Sequence, residues 1–97
     1  MGKKTHWSVR ADQERLGILE YWFNRNKSAE YSIKLSQLFR EAVDLIAEFP
    51  DTGKPTKFPF IRKKIVRDYI LYYETTTEYI EILTIWDTRR NPKKFKL

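Results

Sequence analysis

Residues Ser28–Phe49 read SAEYSIKLSQLFREAVDLIAEF, and this stretch decides the fold because its apolar side chains recur with helical spacing. A set of apolar positions in it is spaced one, three or four residues apart, which is the spacing of one buried helical face: Tyr31, Leu35, Leu38, Phe39, Ala42, Leu45, Ile46 and Phe49. Ser28 can cap a helix N-terminus, and Pro50 cannot continue a helix. The sequence therefore predicts one helix from Ser28 to Phe49. Within it, four residues are expected to be buried: Leu35, Leu38, Ala42 and Leu45.

The segments on either side of this helix predict one further helix and four strands. Before it come a short candidate strand, Thr5–Val9, and a second amphipathic helix, Arg10–Asn24. After it, a turn-rich stretch that starts at Pro50 leads to three runs rich in β-branched and aromatic residues, which are typical of strands. These runs are Phe60–Val66, Tyr69–Thr75 and Tyr79–Trp86.

The predicted element order is β-α-α-β-β-β in a single α+β domain of residues 1–97. Short connections between the last strands predict a small antiparallel sheet with the helical hairpin packed on one face. Residues Tyr79–Trp86 form a nearly continuous apolar run, which predicts a central strand. Ile82 and Trp86 of this strand are expected to be buried.

Composition excludes several classes of function. The chain has no cysteine and only one histidine, so neither a disulfide nor a metal site is expected. Only three glycines are present, and no glycine-rich phosphate loop exists, so no nucleotide cofactor is expected. No apolar run reaches the roughly 20 residues that span a bilayer. The N-terminus lacks the apolar segment of a signal peptide, and we expect a cytoplasmic protein without a membrane partner.

Positive charge is concentrated in two segments of the chain. The formal net charge is +6, but residues 54–67 hold six basic residues and residues 89–97 hold five, with no acid in either segment. The rest of the chain is net acidic. Such segregation favours a polyanionic or acidic partner over simple solubility.

Three further segments resemble one known family. Trp7-Ser8 leads into a helix that contains Ile18-Leu19-Glu20-Tyr21-Trp22, and Phe49-Pro50-Asp51-Thr52-Gly53-Lys54-Pro55 closes the long helix. The third segment is the closing strand and its extension, Ile80–Pro92. Together these segments resemble the RelE/ParE superfamily of bacterial toxins, and the closing strand is most similar to the ParE-like branch.

The resemblance implies a function, a partner and one of two targets. The chain would be the toxin of a type II toxin–antitoxin or plasmid stabilisation system, causing growth inhibition. Its partner would be a cognate antitoxin encoded by the adjacent gene. RelE-like members cut messenger RNA on the ribosome, whereas ParE-like members block DNA gyrase.

Basic residues near the predicted strand ends are candidates for the functional site. Cleavage of RNA without a metal requires a base, an acid and cations that stabilise the charged phosphorane. Arginine suits the last task because it is always charged and binds phosphate in a bidentate manner. The candidates are Arg62, Arg89 and Arg90, with Lys63 and Lys64 as secondary ones. In the resembled fold these positions are close together, so one shared basic surface is expected. The alternative is a solvated basic face or a lysine-protected edge strand.

Two departures from the nuclease pattern favour the ParE-like function. Ile70 stands where RelE-like nucleases often carry an arginine, and Thr88–Lys93 contains neither the histidine nor the tyrosine found near the end of several nucleases. The only histidine, His6, is expected to be structural. Whether the chain is an enzyme therefore stays open. Three hypotheses for the function follow: gyrase binding, RelE-like mRNA cleavage and a non-toxic nucleic-acid-binding domain. Three tyrosines of the predicted strands belong either to the core or to a base-stacking surface, and they are Tyr69, Tyr72 and Tyr73.

Overall fold

The computed structural model describes residues 2–97 and confirms the predicted α+β order of elements. The elements are β1 (Lys4–Trp7), α1 (Val9–Asn26), α2 (Glu30–Glu48), β2 (Lys54–Pro55), β3 (Ile61–Val66), β4 (Tyr69–Thr75) and β5 (Tyr79–Asp87). Single 3-10 turns cover Pro50–Thr52 and Pro92–Lys94. Neither helix within residues 2–97 has the length and apolar character needed to cross a membrane.

The helix α2 carries most of the helical contribution to the core. Its buried side chains follow the predicted stripe, and they are Ser32, Leu35, Phe39, Ala42, Val43 and Ile46. Leu38 is only partly buried against this cluster. Leu45 was expected to be buried, but 39% of it is exposed, because the true stripe passes through its neighbour Ile46 and is narrower than predicted.

The start of α2 also differs from the prediction. The N-cap residue is Ala29, which makes no side-chain capping bond. Ser28 lies one position earlier, and its hydroxyl accepts only a long hydrogen bond from the Glu30 amide, 3.3 Å. The helix ends at Glu48, with Phe49 in the C-cap position. The predicted cap was therefore wrong by one residue, while the helix itself is confirmed.

The helix α1 begins earlier than predicted because Ser8 caps it. The Ser8 hydroxyl accepts a hydrogen bond from the Ala11 amide, 3.0 Å, and donates to the carbonyl of Leu83, 2.8 Å. The cap therefore ends β1 at Trp7, so the predicted strand Thr5–Val9 was too long at its C-terminal end. The same bonds attach the start of α1 to β5, where the functional candidates also lie.

The sheet has five strands in the order β1-β5-β4-β3-β2. The strands β3, β4 and β5 form the predicted antiparallel meander. The sheet is mixed rather than wholly antiparallel, because β1 pairs in parallel with β5. The segment Lys54–Pro55 was expected to be loop, but it pairs with β3 as a two-residue edge strand. The strand β5 lies between β1 and β4, as its apolar sequence predicts.

The helical hairpin covers one face of the sheet, and the other face is covered partly by the C-terminal tail, residues 91–97. Tyr69 and Tyr73 belong to the core under the helices, where Tyr69 packs edge-on against Phe39. Trp86 is buried as predicted, but on the opposite face, where its ring contacts Phe95 of the tail. The tail therefore covers part of the sheet face that the helical hairpin leaves open.

A β-bulge divides β5 into two halves with different phase. Tyr73 is paired with Ile82, whereas Tyr72 is paired with Thr84, so Leu83 is the additional residue of β5. Ile82 and Ile85 both enter the core although they are an odd number of residues apart. The bulge also moves Asp87 to the helix-covered face beside Tyr69, since residues paired across strands share a face.

Candidate functional site

A cleft of about 440 Å³ lies between α1 and the second half of β5, and we call it the α1–β5 cleft. One wall is formed by α1 through Gly17, Ile18 and Tyr21, and the end is formed by Arg89 and Arg90. The cleft thus combines apolar and aromatic surface with two predicted site residues. Polar groups at one end of an apolar cleft are a common arrangement for a binding site.

Glu14 connects α1 to the bulge at the base of this cleft. Its carboxylate accepts hydrogen bonds from the Thr84 hydroxyl, 2.6 Å, and from the Ile85 amide, 3.1 Å. The same carboxylate lies 3.5 Å from the Arg10 guanidinium. Because an irregular strand leaves an amide without a ladder partner, the Glu14 carboxylate satisfies that donor. This interaction fixes α1 relative to the strand that carries Asp87.

Arg89 is held inside the cleft by an acid and two aromatic rings. Its guanidinium donates to both oxygens of Asp87, with distances of 3.0 and 2.9 Å, and its backbone amide donates to the same carboxylate. The guanidinium lies 5.4 Å from the Trp22 ring centre and 5.9 Å from that of Tyr69. The Trp22 indole N–H donates to the Tyr69 hydroxyl, 2.8 Å, which keeps the two rings together. Arg89 is therefore pre-positioned on an aromatic surface.

The electrostatics of the cleft follow from these contacts. The hydrogen bond from Arg89 holds the pKa of the Asp87 carboxyl below its usual range, and the same bond raises the pKa of Arg89. Burial raises the pKa of Tyr69, although the Trp22 hydrogen bond opposes this shift. At neutral pH the cleft therefore contains a charged Asp87–Arg89 pair and a neutral Tyr69 phenol.

The structure places Arg62 at the opposite end of β4 from Arg89. Arg62 donates to the Gly53 carbonyl, 2.8 Å, and lies 3.6 Å from the Asp51 carboxylate. It is paired with Tyr73, whereas Arg89 contacts Tyr69. Four residues of extended strand separate these tyrosines, which is about 13 Å. Contrary to the prediction, Arg62 therefore does not share a surface with Arg89 and Arg90. Its side chain is bonded instead to Gly53 and Asp51, in the segment before β2.

The remaining basic candidates lie on both sides of the sheet. Arg90 lines the α1–β5 cleft and also reaches over the Trp86 ring, 5.3 Å from its centre, on the tail-covered face. Lys63 is paired with Tyr72 on that same face. Lys64 is paired with Leu71, a core residue, and so points to the helix-covered face. Only Arg89 and Arg90 are brought together among the three arginines.

Sequence reasoning missed the residues that shape the cleft. Glu14 was not singled out, Trp22 was placed in the apolar pattern of the first helix, and Tyr69 was left between the core and a base-stacking surface. The structure brings Trp22 and Tyr69 against Arg89 and bonds Glu14 to the neighbouring part of β5. The bulge was not visible in the sequence, because Ile82-Leu83-Thr84-Ile85 is compatible with a regular strand. Trp22 is the residue that could have indicated the site, because an aromatic ring can pack against a cation.

His6 and the carboxylates offer no metal or catalytic cluster. His6 lies in the edge strand β1, its side chain is 66% exposed, and its Nδ1 is 3.5 Å from Glu81. Glu81 is on the opposite side of the bulge from Asp87, so the two carboxylates do not share a face. Within residues 2–97, no group of three or more His, Cys, Asp or Glu side chains could hold a metal ion.

The comparisons with known proteins agree with the fold and the closing-strand motif. The family described as "ParE toxin of type II toxin-antitoxin system, parDE" matches residues 6–92. No curated protein sequence matches the chain. Among solved structures, a chain of the chromosomal ParDE TA system from P. aeruginosa superposes with a TM-score of 0.73. The match covers 86% of this chain and 92% of that one at 18% identity, which speaks to the fold alone. Because the family match spans most of its length, the chain belongs to the ParE toxin family of type II toxin–antitoxin systems.

Proposed function

We propose that this chain inhibits bacterial growth by binding DNA gyrase through the α1–β5 cleft and its two arginines. One observation carries the choice of a binding mechanism over RNA cleavage. Ile70 occupies the strand position where RelE-like nucleases often have an arginine, and it is paired with Ile65 and Trp86 on the neighbouring strands. The sheet is therefore apolar at the point where a nuclease would stabilise the phosphorane.

The groups that a nuclease would need are also engaged elsewhere in this chain. Arg89 is paired with Asp87, and Glu14 is bonded to the bulge of β5. His6 lies on β1, whereas the tail-covered part of the sheet that carries Lys63 is formed by β3 and β4. A base, an acid and a cation thus do not converge, and this supports binding rather than hydrolysis. Cleavage of mRNA is the alternative function, because the clustered positive charge would also suit RNA.

The cleft has the features of a protein-binding surface. Arg89 already contacts two aromatic rings and Asp87, so less side-chain entropy would be lost on binding. Tyr21 of α1 lines the cleft and is 49% exposed, whereas the exposed Leu16 (53%) and Phe23 (51%) lie on another face of α1. Arginine and aromatic residues are enriched among the anchors of protein interfaces. A gyrase surface with an acidic group and apolar neighbours would match them.

An antitoxin encoded next to this gene is proposed to neutralise the chain. The cleft and the exposed side of α1 would receive an amphipathic segment with apolar residues and acids that reach Arg89 and Arg90. Coupled folding of such a segment would bury a large area. Loss of the antitoxin together with its gene would release the toxin, which is the basis of a plasmid stabilisation system. Both partners would act in the cytoplasm, where gyrase works.

The experiment that tests the function separates the two targets directly. The purified chain is added to a gyrase supercoiling reaction and, in parallel, to a coupled translation reaction whose mRNA is analysed for cleavage. We expect loss of supercoiling and intact mRNA. Cleaved mRNA with normal supercoiling would overturn the proposal. Expression of the chain without antitoxin should likewise induce the DNA damage response before translation stops.

Substitution of the two arginines tests the site. Arg89→Ala with Arg90→Ala should weaken gyrase inhibition about tenfold or more, as expected for the loss of an interface anchor worth about 1.4 kcal/mol or more. Lys34→Ala with Arg40→Ala on the exposed side of α2 is the matched control, because it also removes two positive charges. Full inhibition by the double variant would show that the cleft is not the contact.

A further inference from the structure

The two basic segments of the chain meet in a groove that shares only Arg90, at its border, with the proposed gyrase contact. This groove, of about 380 Å³, lies on the tail-covered face of the sheet. Lys57 and Lys63 line it from the first basic segment, and Phe95 and Leu97 line it from the second. Arg90 lies at its border, over the Trp86 ring. Part of the charge segregation visible in the sequence is therefore expressed on one surface, formed by Lys57, Lys63 and the tail.

Phe95 inserts into an aromatic slot in this groove. Its ring stacks on Tyr72 with a centre-to-centre distance of 4.7 Å and an interplanar angle of 29°. The same ring meets Trp86 at 5.0 Å and 64°. Only 9% of Tyr72 and 9% of Trp86 is exposed in this arrangement. The slot thus holds a single flat ring, presented by a short polar segment.

The charge around the slot is not balanced. The tail brings Lys93, Lys94 and Lys96 toward a surface that already carries Lys57 and Lys63. Among residues 2–97, none of these five lysines forms an ion pair with a carboxylate. Like charges repel, so the tail stays in place because of the aromatic contact and against the electrostatics. A polyanion would remove that repulsion.

We propose that this surface binds single-stranded nucleic acid, and that Phe95 occupies the position of an unstacked base. A flat slot flanked by cations is the arrangement by which proteins bind single strands, because every base has a face that stacks and every nucleotide carries a phosphate. An acidic protein segment would satisfy the lysines but not the slot. A duplex would satisfy the lysines but keeps its bases stacked. The tail acts as a cover that a strand displaces.

Fluorescence titration of the purified chain tests the proposal without gyrase or an antitoxin. Short oligothymidylate and oligouridylate are the probes, so that DNA and RNA are compared, and a DNA duplex and poly-glutamate are the other polyanions. A base that stacks on Tyr72 in the place of Phe95 also contacts Trp86, so the emission of Trp86 should be quenched with the single strands only. The quenching should disappear in Trp86→Phe. Equal binding of all polyanions without quenching would overturn the proposal and leave a purely electrostatic surface.

Two variants and a control sharpen this test. Phe95→Ala empties the slot, so single strands should bind at least about fivefold more tightly, given typical base–aromatic stacking energies. Lys63→Ala should weaken binding and lower the salt slope by about 0.7, the value for one phosphate contact to a single strand. Lys34→Ala, exposed on α2, should change neither quantity. Circular dichroism confirms folding of each variant, and weaker binding by a folded Phe95→Ala would contradict the cover.

Discussion

The two helices of the hairpin have similar lengths but use their apolar residues differently. The helix α2 buries six side chains and is strongly amphipathic. The helix α1 buries only Ala11 completely, packs other apolar side chains partly against the core, and exposes Val9, Leu16, Tyr21 and Phe23. Of these exposed residues only Tyr21 lines the cleft, whereas Val9, Leu16 and Phe23 are spaced seven residues apart and share a different face of α1. The comparison indicates that α2 supplies more of the core than α1, which leaves apolar side chains of α1 open to solvent.

The largest expected effect follows from the buried face of α2. Leu35→Ala removes a fully buried side chain from the centre of the core and should destabilise the fold by about 2–5 kcal/mol. Ile33→Ala, two residues earlier on the same helix, is the matched control because Ile33 is 56% exposed. Chemical denaturation measures both. Similar losses of unfolding free energy in the two variants would contradict the assignment of a buried and an exposed face to α2.

The next effect tests how α1 is attached to the sheet. Glu14→Ala leaves the Thr84 hydroxyl and the Ile85 amide without their acceptor, and Thr84 is fully buried. A buried donor without a partner costs about 1–3 kcal/mol. Denaturation of Glu14→Ala should show this loss, whereas Glu20→Ala, on the exposed side of α1, should not. An unchanged stability would mean that apolar packing alone holds α1.

A smaller effect of opposite sign is expected at Gly17. A Cβ atom there would meet nothing within 4 Å, so the fold itself does not require glycine at this helical position. Gly17→Ala should stabilise the chain by about 0.5–1 kcal/mol through its higher helix propensity. The added methyl enters the cleft, so the same variant should bind antitoxin or gyrase more weakly. Thermal unfolding measures the change in stability, and a pull-down assay measures the change in binding. Unchanged binding would contradict the proposal that α1 is part of the interface.

The smallest effect concerns pH and the Asp87–Arg89 pair. Because Arg89 lowers the pKa of Asp87 in the folded chain, the pair contributes stability above the ordinary aspartate pKa of about 4. This contribution is lost as the pH falls through the lowered pKa. The difference in melting temperature between the wild type and Arg89→Ala should therefore shrink between about pH 5 and pH 2. A difference that stays constant over this range would show that Asp87 is not the partner.

The success of the sequence analysis differed between these two helices for a physical reason. A pattern of apolar residues predicts burial when one face of an element packs in the core and the other face is exposed to solvent, as in α2. The pattern of α1 is blurred, because it has apolar residues on more than one face. The closing strand β5 was recognised from its composition, but the bulge at Leu83 depends on Glu14, which is 69 residues away in sequence. Local patterns contain no information about such a partner.

The candidate site was predicted in part for the same reason. Charge clustering identified Arg89 and Arg90, since clusters are visible along the chain. It also grouped them with Arg62, which the structure assigns to the carbonyl of Gly53. The parallel pairing of β1 with β5 was not predicted, because nothing near Thr5 in sequence specifies a strand that begins at Tyr79.

That parallel pairing has a consequence for how the protein is made. Lys4 is paired with Tyr79 and Trp7 with Ile82, so the first strand waits for the last one to be synthesised. At about 5–20 residues per second, the roughly 75 residues between Lys4 and Tyr79 take about 4–15 s to translate, and the sheet cannot close before that interval ends. The α1–β5 cleft cannot form before Tyr79–Asp87 has left the ribosome. This delay gives an antitoxin that is already present time to meet its partner as β5 docks.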